Sequence, residues 1–374
     1  MNFNHCHYVP CLRWKQGEYQ AMQTLGRDAA DFITPLIEVP ELGFDFETGM
    51  PKKTLDKHLE PIGKRVAEKW QRRPCYVDLK NINPESRIAD GRHPVQAVFD
   101  DFRAQRCPVV PVTGLARDDA YQRAVTQIIA KDRCGFCLRL LVGEAAKPNL
   151  KVEIDALLNR MAPPDESDLV FDLGAPNFDP LEGFAKVVEA LIRRLPYLRN
   201  WRTFTLLSTS FPPSMGEIKS SPISLPRSEW LLYQMIAASL SRARLRIPTF
   251  GDYSINYPNS LPLDMRLLKP SATIRYTTEK AWFIVKGPNV RDNLFEQYRT
   301  HCRTVMRSPD YSGPSFSAGD KYISDCARGT GSTGNLTTWR QVGTNHHLEV
   351  VARGIANFFG VSGNASPDAA APLN

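Results

Sequence analysis

The sequence lacks the long apolar runs and targeting signals of membrane and secreted proteins. Apolar runs such as residues 109–112 and 283–285 are far shorter than the about 20 residues that a membrane-spanning helix needs. The first ten residues contain no basic stretch followed by an apolar one, so we expect no signal peptide. These absences predict a cytoplasmic protein without a membrane partner.

Concentrated charge of one sign is also missing. The chain has 47 Lys and Arg against 40 Asp and Glu, a net charge of +7, and a pI of about 8.9. The excess is spread along the chain, without the basic block that marks a nucleic-acid-binding tail. Such a surface is ordinary, but a phosphate-bearing ligand or nucleic acid stays open as a partner.

Metal-binding and nucleotide-binding motifs are scarce. The eight cysteines are expected to be free thiols in a reducing compartment, and the CxxC motif at Cys134 and Cys137 has no second pair to complete a zinc site. The glycine-rich stretch 329–334 lacks GK[ST] and a preceding strand, so it is a poor phosphate loop. We therefore predict no metal site, and the sequence identifies no cofactor.

What the sequence does contain is a regular alternation of β-rich runs and amphipathic helical patterns. The predicted strands are Tyr8–Leu12, Phe32–Val39, Cys75–Leu79, Pro108–Thr113, Phe136–Val142, Asp168–Leu173, Thr203–Thr209 and Arg246–Tyr253. The predicted helices between them cover residues 17–25, 54–70, 94–105, 118–131, 150–161, 181–195 and 228–243. Eight such units favour a closed (β/α)8 TIM-type barrel over an open doubly wound sheet.

The pattern changes after the eighth strand, within what we predict to be a single domain over residues 7–360. We predict an insertion over 254–289, in which the runs 271–278 and 281–287 form a β-hairpin. A predicted helix over 290–306, which could be the barrel's eighth, is followed by a long loop over 309–345. The chain is then predicted to form a last helix over 346–359, capped by His346 and His347, and a disordered tail over 361–374. The hairpin is expected at the barrel's C-terminal face.

Barrel proteins build their active sites at the C-terminal ends of the strands, so polar residues near those ends are the candidate site. They are Lys15, Glu18, Glu38, Asp78, Arg139, Asp172 and Asp252, with Arg275 and Lys286 from the hairpin. Acids on four strands beside basic residues suit acid–base chemistry, a divalent cation with a phosphate, or a charged small ligand. Neutralising ion pairs without chemistry are the alternative. Arg139 lies in an apolar strand, so it needs a partner such as Asp172 or Asp78.

Several segments resemble the phage "beta protein" family. They are YVPCLRWKQGEYQAMQTL, FITPLIEVPE, GDYS, IRYTTEKAWFIVKG, FSAGD and NHHLEVVARGIANFF, and the resemblance runs over roughly residues 7–360. Members of this family occur in phages, satellite prophages and bacterial genomic islands, one of them in a gop–beta–cII cassette. The resemblance implies that the protein restrains the killing activity of a Gop-like protein and takes part in anti-phage defence. It supplies no catalytic residues.

Three hypotheses follow. In the first, the protein is an immunity or antitoxin-like component that binds a co-encoded toxic effector. In the second, it is a TIM-barrel enzyme or sensor that binds a phosphorylated or nucleotide-like ligand at the barrel mouth. In the third, it is a sensor of a phage protein or nucleic acid. The absence of a catalytic motif favours the first, and the charged residues at the strand ends favour the second. The mild basic charge favours the third slightly.

Overall fold

The computed structural model describes residues 1–258 and 269–361, and its centre is a closed barrel of eight parallel strands. Each strand pairs with the next barrel strand along the chain, and the last pairs with the first, which confirms the predicted barrel. The barrel strands are β1 (Tyr8–Leu12), β2 (Leu36–Glu38), β5 (Cys75–Asp78), β6 (Val109–Thr113), β7 (Cys137–Leu141), β8 (Asp168–Gly174), β9 (Thr203–Ser208) and β11 (Thr249–Asp252).

Helices cover the outside of the barrel, and short elements decorate its loops. The helices up to the eighth strand are α1 (Gln16–Gln23), α2 (Arg27–Asp31), α3 (Leu55–Leu59), α4 (Ile62–Lys69), α5 (Pro94–Ala104), α6 (Asp119–Asp132), α7 (Val142–Ala145), α8 (Leu150–Arg160), α9 (Leu181–Arg194) and α10 (Ser228–Arg242). The loop strands β3 (Phe44–Asp45) and β4 (Met50–Pro51) pair with each other, and β10 (Ile223–Pro226) precedes α10. No helix in the described residues is long and apolar enough to cross a membrane.

Alternation along the barrel strands decides which side chains enter the barrel. In β1, Val9 and Cys11 belong to the apolar cluster inside the barrel, whereas Tyr8 and Leu12 pack outward against the helices. Both faces are therefore buried, as in other parallel sheets, and the strands are correspondingly apolar. A polar residue inside such a strand must find its partner either in the barrel or under a helix.

The predicted hairpin forms β12 (Ser271–Thr277) and β13 (Ala281–Asn289), and β10 joins it as a third strand. The predicted helix 290–306 is wrong in two respects. It is interrupted at Leu294, which has a φ of 54°, so that it divides into α11 (Val290–Asn293) and α12 (Gln297–Arg307). It also packs on the hairpin instead of completing the barrel.

The long loop predicted over 309–345 is likewise wrong. It contains α13 (Ala318–Arg328) and the first ten residues of α14 (Leu336–Phe359), and α14 packs against α1 and β1 as the barrel's eighth outer helix. Side chains of Ser317 and Asn335 cap the two helices. Within this range the structure has loops only before α13, over residues 309–317, and between the two helices, over residues 329–335. The predicted tail lies outside the described residues from position 362 onward, as do residues 259–268 of the insertion.

A second apolar core lies between the hairpin and helices α12, α13 and α14. Ile274 and Tyr276 of β12 pack there with Tyr298 of α12 and with Trp339 and Val342 from the first half of α14. The second half of α14 belongs to the barrel's outer core through Leu348, Val351, Ala352 and Ile355. One helix of about 36 Å, at 1.5 Å a residue, is thus shared by both cores.

Candidate functional site

Arg139 lies at the centre of a buried ion-pair network in the mouth of the barrel. Its Nε donates to Asp172 over 2.8 Å, and its Nη1 donates to Glu38 over 2.8 Å and to Asp78 over 3.0 Å. Its Nη2 donates to the hydroxyl of Tyr253 over 2.9 Å, and that hydroxyl donates to Asp172. Arg139 is only 3% exposed. The sequence prediction that Arg139 has Asp172 or Asp78 as a partner is confirmed, because it has both.

These side chains meet because each occupies an inward position on its strand. Val170 of β8 and Tyr76 of β5 point into the barrel, so Asp172 and Asp78, two residues later, do so as well. The same spacing from Cys137 carries Arg139 inward. Strands on opposite sides of the barrel therefore contribute to one network.

Two further cations cover this network toward the surface. Lys80 pairs with Glu38 over 2.7 Å, and Arg117 donates to both oxygens of Asp78 over 2.8 and 3.1 Å. Their side chains are 22% and 20% exposed. The mouth thus joins three cations to three carboxylates, a balanced set that we call the mouth network. Its members are Glu38, Asp78, Lys80, Arg117, Arg139 and Asp172, with the hydroxyl of Tyr253.

The electrostatics fix the charges of this network. Burial would raise the pKa of Glu38, but Arg139 and Lys80 outweigh burial and lower that pKa from 4.5 to about 2. Burial opposes the charge of Arg139, yet Tyr253 and Asp172 hold its pKa above the usual value. A carboxylate with so low a pKa is a weak base at neutral pH. Among the described residues, no group of three His, Cys, Asp or Glu could hold a metal ion.

Asp252 does not belong to the mouth network, which corrects the sequence expectation. It accepts hydrogen bonds from the hydroxyl of Tyr8 over 2.6 Å and from the backbone N–H of Ser254 over 2.8 Å, and it lies 2.9 Å from Nε2 of His347. Asp252 faces outward from β11, toward α14, and its neighbour Tyr253 faces inward. The prediction placed Asp252 correctly at a strand end but on the wrong face of the strand.

His346 and His347 lie in the middle of α14 and are fully buried, so the prediction that they cap this helix is wrong. Burial lowers the pKa of His347, which favours a neutral ring. We assign its Nε2 as the donor to Asp252, so that its Nδ1 accepts from the hydroxyl of Thr277 over 3.0 Å. The resulting chain of Tyr8, Asp252, His347 and Thr277 connects the barrel to the hairpin, and we call it the interface network.

His346 has a different hydrogen-bonding pattern. Its Nδ1 lies 2.7 Å from Oδ2 of Asp320, and its Nε2 lies 2.7 Å from the carbonyl oxygen of Thr277. Asp320 also accepts from the hydroxyls of Tyr276 and Ser317. Both nitrogens of His346 therefore lie within hydrogen-bonding distance of oxygen atoms, one on α13 and one on β12, so this ring joins the two elements.

The other four candidates lie outside the mouth network. Lys15 forms a half-exposed pair with Glu41 at 3.0 Å, and Nζ of Lys286 donates to the carbonyl oxygen of Ile218. Glu18 accepts from the backbone N–H of Lys15. Arg275 lies in β12, where burial and nearby Arg340 lower its pKa to about 9. Sequence reasoning missed Tyr253 and Tyr8, whose only signal was the alternation of buried positions.

Comparison with known proteins identifies the family. No curated protein matches the chain. One solved structure similar to it is a GH5-4 broad specificity endoglucanase from an uncultured bacterium, with 8% identity and a TM-score of 0.33 over 64% of this chain and 78% of that one. The model of the Beta protein family matches residues 8–353, nearly the whole chain. The chain therefore belongs to the Beta protein family.

Proposed function

We propose that this protein is the immunity component of an anti-phage defence system and restrains a co-encoded toxic effector by binding it. The charge balance of the mouth network is the observation that carries the binding mechanism. The mouth is where barrel enzymes place their reacting groups, yet here each carboxylate holds a buried or half-buried cation. The resemblance to a family that has one member in a gop–beta–cII cassette supports a toxic effector as the partner.

The energetics of the mouth network favour a structural role for these acids. A general base works best with a pKa near the working pH, whereas the pKa of Glu38 is about 2. Freeing a carboxylate for chemistry would leave the buried charge of Arg139 partly unpaired, which costs several kcal/mol. An outer surface that binds a protein partner makes no such demand on the mouth.

Co-expression with the toxic gene encoded beside this one tests the proposal. Cells that produce the toxic protein alone should die, and cells that also produce this protein should grow. Affinity purification of this protein should recover the toxic protein in the same cells. Equal killing with and without this protein would refute the immunity function, and protection without physical association would refute the binding mechanism.

A second candidate function is an enzyme or sensor that holds a phosphorylated or nucleotide-like ligand at the mouth. The favouring observation is that Lys80 and Arg117 each expose about a fifth of their side chains above the network. Changing both to Gln should then abolish protection while the melting temperature stays close to that of the wild type. A double change of the exposed Lys64 and Lys151 to Gln is the matched control. Full protection by the mouth variant would exclude this candidate.

A further inference from the structure

A cavity of about 600 Å³ lies apart from the barrel mouth, between α10 and the second half of α14. The turn between β12 and β13 and the segment around residues 310–316 form its other walls. Small-molecule sites commonly enclose about 300–1,000 Å³, so this cavity has the size of a ligand site. All of its lining residues are among those that the structure describes.

Two guanidinium groups line the cavity. Arg227 is 2% exposed, its Nε lies 3.3 Å from the buried carboxylate of Glu229, and its Nη1 forms long bonds of 3.2 and 3.3 Å to the carbonyl oxygens of Thr278 and Glu279. Its Nη2 is buried without a hydrogen-bond acceptor among the described residues. Arg353 of α14 is half exposed, lies over the ring of Phe316 at 4.1 Å, and its Nη2 donates to the carbonyl oxygen of Phe316 over 3.0 Å and to Glu349 over 3.3 Å. Guanidinium groups in such positions are suited to a phosphate or carboxylate.

The remaining walls offer aromatic rings, amides and carboxylates. Phe358 exposes 38% of its surface and packs edge-on against Trp230. Gln234 and Asn357 contribute amides, and the exposed Glu279 and Asp310 contribute carboxylates. An aromatic ring can stack on a nucleobase, an amide can bond to a base edge, and an acid can accept from ribose hydroxyls.

We propose that this cavity binds a mononucleotide. A nucleoside 5′-phosphate matches each type of lining group, with its phosphate toward the guanidinium groups, its base against Phe358 and its ribose toward the carboxylates. A simple anion would leave the rings, amides and carboxylates without a role. This site is distinct from the mouth network and does not depend on the proposed immunity function.

Gly354 gives a direct way to block the cavity. It lies in α14 and lines the cavity, and a Cβ added there would meet no atom within 4 Å. Gly354→Leu should therefore fill space in the cavity without disturbing the packing of α14. Gly143 in α7 is the matched control, because its Cβ would also meet nothing within 4 Å and it does not line the cavity.

Isothermal titration of the full chain with AMP, GMP, CMP and UMP, and with inorganic phosphate, tests the proposal. At least one nucleotide should bind with a Kd below about 1 mM. Gly354→Leu and, independently, Arg353→Gln should each weaken that binding about tenfold or more, and Gly143→Leu should not. Each variant is first checked by its thermal melt.

Three results would overturn the proposal. They are the absence of binding by all four nucleotides, equal binding of inorganic phosphate, and nucleotide binding that neither Gly354→Leu nor Arg353→Gln weakens. The first would exclude this ligand class, the second would remove any role for the base and ribose, and the third would place the nucleotide elsewhere. If Gly354→Leu lowers the melt, Arg353→Gln decides the outcome, because its half-exposed side chain is not part of either core.

Discussion

The mouth network contains Tyr253 and the interface network contains its neighbour Asp252, and the two networks stabilise their buried charges in different ways. Tyr253 faces inward to a guanidinium that stays charged at any pH at which the protein folds, whereas Asp252 faces outward to a histidine ring and a tyrosine hydroxyl. The first network is held by fixed charges, and the second depends on which atoms carry protons. The two networks should therefore differ in how substitution and pH weaken them.

The largest effect is expected from Arg139→Met. This change leaves Glu38, Asp78 and Asp172 buried without their central cation, and loss of one partner from a buried ion pair costs about 3–5 kcal/mol. Urea unfolding at pH 7 measures the change in the free energy of unfolding. The deficit should shrink as the pH falls, because protonation neutralises the stranded carboxylates.

Arg92→Met is the control for that experiment, since the ion pairs that Arg92 forms within the described part of the chain, with Asp90 and Asp100, are exposed. It should change stability by less than about 1 kcal/mol. A loss for Arg139→Met no larger than that of the control would show that the mouth network is not the stabilising unit described above.

Asp252→Asn should cost about 1–3 kcal/mol, the usual range for losing a hydrogen bond to a buried charged group. The two carboxylate oxygens accept hydrogen bonds from Tyr8 and His347. In asparagine one of these oxygens is replaced by an NH2 group, which cannot accept, so one of the two donors would lose its acceptor. The expected readouts are a lower melting temperature and a changed nitrogen chemical shift of the His347 ring. An unchanged melt and spectrum would contradict the assigned hydrogen bonds.

The acid sensitivity of the mouth network should be visible through Glu38. The pKa of Glu38 is about 2 in the folded chain against 4.5 ordinarily, so its stabilisation is complete above pH 4.5 and is lost as the pH falls toward 2. Between pH 5 and pH 3 the wild type should lose about 2 kcal/mol more stability than Glu38→Gln. Parallel stability curves for the two proteins would disprove the lowered pKa.

Lys80→Gln should have the smallest effect, below about 1 kcal/mol, because Lys80 is partly exposed and Glu38 keeps its bond to Arg139. Its melting temperature at pH 7 measures this directly. A loss as large as that of Arg139→Met would mean that the network depends on its outer cations as much as on its centre.

The barrel and the centre of the mouth network could be predicted from the sequence. Strand–helix alternation is a strong local signal, and a single arginine within an apolar strand requires nearby acids. The pairing of Arg139 on β7 with Glu38 on β2, two strands that do not pair with each other, depends on closure of the sheet. No local sequence pattern indicates that these two residues lie close together.

The errors came from features that local composition does not encode. Asp252 ends a strand in the sequence, but only the burial of Phe250 under the helices and of Tyr253 in the barrel fixes its face. The Gly, Ser and Thr content around residues 329–334 concealed the start of α14, although Asn335 and Thr338 form a capping box there. His346 and His347 therefore looked terminal, when they lie at the centre of the helix.

The position of α14 in the chain has a consequence for synthesis. The helix follows every other element of both cores, and it supplies Trp339 to one and Ile355 to the other. During translation the eight strands emerge first, with Tyr8 and Asp252 lacking the histidine that completes their network. We therefore expect the nascent chain to carry an unfinished barrel until α14 leaves the ribosome, and both cores to reach their native packing in the same late event.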